Sequence, residues 1–125
     1  MHINIEKVSH QYETKQGMLP VLQDLSLSIK RKGFTAIVGP SGCGKSTITR
    51  LVSGLIKPTQ GSIFISNKKI TSPLSTVGMA FQNPVLLEWR NVIKNIILPL
   101  EIVSKNMTYN QKRSNALDLL KLVGL

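Results

Sequence analysis

Phe34-Thr-Ala-Ile-Val-Gly-Pro-Ser-Gly-Cys-Gly-Lys-Ser-Thr47 is the stretch on which the reading of this sequence turns. Its first five residues form an apolar run, the pattern expected of a strand covered on both faces in a parallel sheet. Gly39 to Ser46 then fits G-x-x-x-x-G-K-[ST]. A polyphosphate needs many hydrogen-bond donors at close range, and each fixed position supplies some. Gly39, Gly42 and Gly44 let the backbone turn with positive φ, so that successive N–H groups, with those of Pro40's neighbours Ser41 and Cys43, point inward as an anion nest. A helix opening at Lys45 adds unpaired amides and the positive end of its dipole. Lys45 would neutralise β- and γ-phosphate oxygens, Ser46 would set its hydroxyl on Mg²⁺, and Thr47 would donate to the α-phosphate. By chance the pattern arises in about four chains in a thousand of this length. Its setting between a buried-type strand and an amphipathic helix lowers that further. Cys43 holds a variable position and reads as a small filler, not a redox thiol.

Downstream of the loop, Ile48, Leu51, Val52 and Leu55 recur at helical spacing, so one face of that helix is apolar. Lys57-Pro58 is expected to end it. Strand-like Ser62 to Ile65 follows, then a loop through Pro73 and a short strand over residues 77–81. Ile93, Ile96, Ile97 and Leu100 repeat the helical period, with Pro99 predicting a kink or stop. Thr108 with Gln111 resembles a capping box. Ala116, Leu119, Leu120 and Val123 stripe a last helix closed by Gly124, and that stripe needs a surface to pack on. Upstream, Ile3 and Ile5, and later Leu25, Leu27 and Ile29, alternate with polar residues as half-buried strands do. Gln16-Gly17 and Lys32-Gly33 read as turns. Repeats and low-complexity linkers are absent from the sequence.

The chain has 125 residues, 42% hydrophobic, with 16 Lys and Arg against 6 Asp and Glu for a net charge of +10. One core is possible, two full domains are not. The hydrophobic fraction excludes disorder. The longest uncharged stretch, Ile70 to Leu87, is interrupted by Pro73, Gln82, Asn83 and Pro84, which argues against a membrane span. The start has no apolar run behind a basic cap, and the single cysteine makes no internal disulfide. Both point to the cytoplasm. The basic residues are scattered, with few aromatics among them, so they read as solvated surface and not as a nucleic-acid footprint. An imbalance this large is consistent with an acidic partner or an acidic second half. His2 and His10 lack metal-ligand neighbours and are expected at the surface.

Four segments in order resemble the N-terminal half of the nucleotide-binding subunit of ABC transporters. They are Leu22-Gln-Asp-Leu-Ser-Leu-Ser-Ile29, the loop Gly39 to Thr47, Leu55-Ile-Lys-Pro-Thr-Gln-Gly-Ser-Ile63 and Val77-Gly-Met-Ala-Phe-Gln82. The resemblance covers the whole chain and implies an α/β fold: a truncated P-loop NTPase (ABC ATPase) core. Residues 1–33 would form an N-terminal antiparallel β subdomain. Residues 34–81 would form the P-loop core with the first part of the parallel sheet, and residues 82–125 the Q-loop and the start of the helical subdomain. Tyr12 looks like the family's A-loop aromatic, which stacks on adenine. Gln82 looks like the Q-loop glutamine, which reaches Mg²⁺ and the attacking water, so Lys45 and Gln82 carry the catalytic expectation. Residues 86–92 are similar to the corresponding stretch of importers for nitrate, sulfonates and taurine, although Glu88 stands where a proline is usual there. Trp89 and Arg90 would face either a membrane subunit or ordinary helix-start packing.

The resemblance further implies MgATP as ligand, a second ATP-binding subunit arranged head to tail, and membrane subunits contacted through the Q-loop region. It implies a peripheral position on the inner face of the cell membrane, with ATP energising uptake of a small solute. The Asp-Glu strand, the LSGGQ-type signature and the later histidine that hydrolysis requires in this family are not among these residues. Little or no turnover is therefore expected of the chain alone. A stand-alone, non-hydrolysing nucleotide-binding module and another P-loop kinase are the alternative readings.

Overall fold

Alternating apolar and polar residues build the first two strands. In the computed structural model, which describes residues 2–83 and 85–125, β1 (Ile3–Thr14) and β2 (Gly17–Ile29) pair as an antiparallel hairpin around a two-residue turn. Thr14 closes that turn by donating its hydroxyl to the Gly17 carbonyl at 2.6 Å. β3 (Gln60–Ile65) lies along the other edge of β1, and a two-residue β4 (Lys68–Lys69) follows it, giving the order β2-β1-β3-β4 with every neighbour antiparallel. A register shift between Ile5 and Val8, with Lys7 at φ 48°, offsets the inward face of β1 by one residue. Ile5, Val8 and His10 therefore all turn inward, and His10 is buried. The expected surface position fails for His10 because period-two alternation from Val8 puts it on the core face. His2 is exposed, with Nε2 2.8 Å from the Ser28 hydroxyl.

The amphipathic helix after the glycine-rich loop is α1 (Lys45–Val52). Leu51 is buried with Ile5, Val8, Ile63, Ile65 and Ile70, while Ile48 and Val52 pack against that cluster. The helix stops before Leu55, which is mostly exposed, and well before Lys57-Pro58. Two reversed bonds stop it: Gly54 donates to the Leu51 carbonyl at 3.1 Å and Leu55 to that of Arg50 at 3.0 Å. That is the Schellman pattern, which needs a left-handed residue, and Gly54 has φ 76°. A glycine inside the periodic run thus outranks the later proline as a stop signal.

Residues 34–38 carry no ladder bonds, and Phe34 and Val38 are 96% and 87% exposed. The expected strand over residues 77–81 is likewise unassigned. A strand in a parallel sheet is held by neighbours on its edges, and no described residue pairs with either segment. Contacts divide the chain into a unit ending at Met79, which holds everything above, and a second beginning at Ala80.

In the second unit, α2 (Val92–Val103) packs on α3 (Tyr109–Leu122), with Ile97 and Ala116 fully buried. Pro99 neither stops α2 nor prevents its last turn, since Ser104 still donates to Leu100 at 3.0 Å. Burial of Ile97 in the preceding turn favours the helix that Pro99 opposes. The Thr108 and Gln111 capping box forms with both bonds. The predicted stripe on α3 is buried only at Ala116; Leu120 is half-buried, and Leu119 and Val123 remain exposed. Pro84, one of the breaks in the long uncharged stretch, lies outside the described residues. Among the described residues, no helix is long and apolar enough to cross a membrane.

Because Leu51 anchors α1 to the sheet, Leu51→Ala should lower the unfolding free energy by about 2–5 kcal/mol. Urea denaturation followed by circular dichroism measures this, and an unchanged midpoint would contradict the packing described.

Candidate functional site

Between residues 34–38 and α1 the backbone makes a tight loop with few partners of its own. Gly44 is the N-cap of α1 and is buried, at φ 96°. A Cβ there would come within 2.9 Å of a Leu22 methyl and 3.2 Å of the Val21 carbonyl oxygen. Glycine is therefore required at this position both by conformation and by the close approach of β2. Gly42 also takes a positive φ, 82°, whereas Gly39, at 158°, is close to extended backbone.

Gly44 offers no side-chain cap, and the first backbone bond of α1 runs from Ile48 to Gly44 at 3.0 Å. The amides of Lys45, Ser46 and Thr47 consequently donate to no acceptor among the described residues. A helix end with free amides carries about half a positive charge. Lys45 folds back over the loop, its ammonium donating to the carbonyls of Gly39 at 2.8 Å and Pro40 at 2.6 Å, with Cys43 Sγ at 3.7 Å. No carboxylate pairs with Lys45 among the described residues. Pro40, Ser41, Gly42, Cys43 and Ser46 are exposed, and the Ser46 hydroxyl has no hydrogen-bond partner there. One turn of chain thus presents free amides, an ammonium without a counter-ion and a free hydroxyl, which is a donor set for a polyanion with an oxygen ligand beside it.

Tyr12 is brought to this site by the sheet. It sits half-buried on β1, and its hydroxyl lies 3.3 Å from that of Thr47, which is buried on the first turn of α1. The side chain expected to donate to an α-phosphate is therefore already engaged with Tyr12, a contact 35 residues apart in sequence that no local pattern announces. Gln82 is exposed in the bend near the start of the second unit.

In that second unit the segment before α2 is held by Asn95. Its Oδ1 accepts from the Leu87 amide at 2.8 Å, and its Nδ2 donates to the carbonyls of Leu87, Arg90 and Asn91 at 2.9–3.1 Å. Arg90 pairs with Glu101 at 2.7 Å, a part-exposed bridge of about 0–1 kcal/mol. Trp89 is 81% exposed, and a cleft of about 290 Å³ in the same segment is lined by the apolar Leu86, Leu87, Val92 and Ile96 together with Glu88, Arg90 and Asn95.

The sequence profile of the family described as "ABC transporter" matches residues 22–125. The chain belongs to the ABC transporter family. Bicarbonate transport ATP-binding protein CmpD of Synechocystis sp. is 38% identical over 98% of this chain and 44% of its own length. Taurine import ATP-binding protein TauB of Yersinia pestis is 37% identical, over 98% and 46%. Among solved structures, the dimeric post-hydrolysis state of the ATP-binding cassette MJ0796 bound to ADP and Pi superposes with a TM-score of 0.87 at 29% identity, covering 98% of this chain and 57% of that one. The fold is that of the ABC ATPase cassette. The chain spans less than half the length of these curated relatives.

Asn95→Ala should release the segment over residues 87–91. Hydrogen exchange at the Leu87 amide is expected to quicken at least about tenfold, while the α3 amides hold their rates.

Proposed function

We propose that this chain is the nucleotide-binding part of the ATP-binding subunit of an ABC importer, with MgATP as its ligand. The observation that carries the reading is the set of free amides at Lys45, Ser46 and Thr47 beneath an unpaired ammonium, with an aromatic ring at Tyr12 tied to the same turn. The loop over residues 39–47 wraps the β- and γ-phosphates. Lys45 exchanges its two loop carbonyls for phosphate oxygens, and Tyr12 stacks on the adenine. The exchange favours the ligand, because a charge-assisted bond to an anion is roughly twice as strong as one to a neutral carbonyl.

The free Ser46 hydroxyl fits a hard cation such as Mg²⁺, and the Gln82 amide oxygen is of the same donor class. A bound Mg²⁺ would draw charge from the phosphate oxygens and fix their geometry. Ser46 would hold it through its hydroxyl.

In the whole protein, two such subunits would face each other head to tail. The exposed Trp89 with the apolar cleft before α2 would meet a membrane subunit on the cytoplasmic face. The relatives named above are ATP-binding proteins of bicarbonate transport and of taurine import, and the solute here would be of that small, anionic or zwitterionic kind, such as nitrate or a sulfonate.

Titration calorimetry of the folded chain with MgATP should give saturable heat, and Lys45→Ala should weaken binding at least about tenfold, the loss of one charge-assisted contact. No heat at millimolar MgATP from folded material would overturn the proposal.

A further inference from the structure

His10 is the buried side chain that the nucleotide site leaves unused. It is only 9% exposed, and neither ring nitrogen has a hydrogen-bond partner among the described residues. A buried polar group left in this state works against folding, so the contacts its ring makes must offset that. The distinctive one is with Tyr12. Two residues apart on β1, the rings face the same side of the sheet, their centroids 4.7 Å apart and their planes at 87°. That is the edge-to-face arrangement favoured by aromatic quadrupoles.

Tyr12 is therefore held at three points. Its backbone is in the β1–β2 ladder opposite Leu19, its hydroxyl is 3.3 Å from that of Thr47, and its ring meets His10. We infer that His10 is a positioning residue for base recognition, bracing the Tyr12 ring in the orientation that receives the nucleobase before the nucleotide arrives. This rests on the adenine role proposed for Tyr12. A preset ring costs a ligand no ordering entropy, whereas a ring free to swing does. The effect should fall on the base and leave the phosphates alone, because among the described residues the His10 ring makes no hydrogen bond to the free amides or to Lys45.

The test compares two ligands, MgATP and magnesium tripolyphosphate, which has no base, by calorimetry on the full chain. His10→Leu fills the space without a ring, and His10→Phe restores an aromatic. His10→Leu should bind MgATP about threefold to tenfold more weakly, the range of one aromatic pair, with tripolyphosphate changed less than about twofold. His10→Phe should recover most of the lost affinity. Tyr12→Leu should weaken MgATP alone, and adding His10→Leu to it should cost nothing more.

If Tyr12→Leu weakens MgATP and His10→Leu does not, the bracing role is wrong while the stacking role stands. Equal weakening of both ligands by His10→Leu would make His10 a packing residue only. If Tyr12→Leu leaves MgATP unaffected, the adenine role fails and the bracing role with it.

Discussion

Three main-chain amides at the start of α1 have no acceptor among the described residues, and the surrounding structure keeps them that way. An N-cap of serine or aspartate would satisfy at least one of them and stabilise the helix. Gly44 gives up that stabilisation, and the shortfall is met below: Leu51 seals the helix to the sheet, and the reversed bonds at Gly54 and Leu55 close its other end. A helix of eight residues is too short to stand on propensity in water. It exists here because its apolar face is buried, which leaves its N-terminus free to stay unsatisfied.

The same sheet that supports α1 also sets what lies beside the loop. Tyr12 reaches Thr47 only because β1 carries the one-residue shift before Val8, which brings Val8, His10 and Tyr12 into alternation on the core side. Without that shift every side chain beyond it would change faces. The bulge thus bears on the buried histidine and on the aromatic ring beside Thr47 alike.

The motif at residues 39–47 was legible in the sequence because its determinants are local: glycines, a lysine and a hydroxyl at fixed offsets. The capping box at Thr108 and Gln111, and the helical spacing of α1 and α2, were legible for the same reason. His10 was not, since reading its face requires knowing the strand register, and a bulge resets the count. The Tyr12 and Thr47 contact was invisible because it spans 35 residues. α1 ends before Lys57-Pro58 because a left-handed glycine permits the hydrogen bonds that stop a helix, and a later proline does not. Residues 34–38 show the converse case: the apolar run is as the sequence has it, but a parallel strand is defined by its neighbours, and none of the described residues is one.

Binding a polyphosphate and cleaving it make different demands on a chain. The proposed cradle needs a run of backbone amides, one ammonium and one hydroxyl, and all of these lie within nine consecutive residues beside a four-stranded sheet. Cleavage needs in addition a group that polarises water, placed to a fraction of an ångström relative to the phosphate by elements distant in sequence. Among the described residues the only ion pair is Arg90 with Glu101, a part-exposed surface contact, and no cluster of three acidic, histidine or cysteine side chains is present. Local construction lets the free amides, the ammonium and the hydroxyl be assembled from one short stretch of chain. On the proposed reading, affinity for the phosphates and the geometry required for turnover are therefore separable properties.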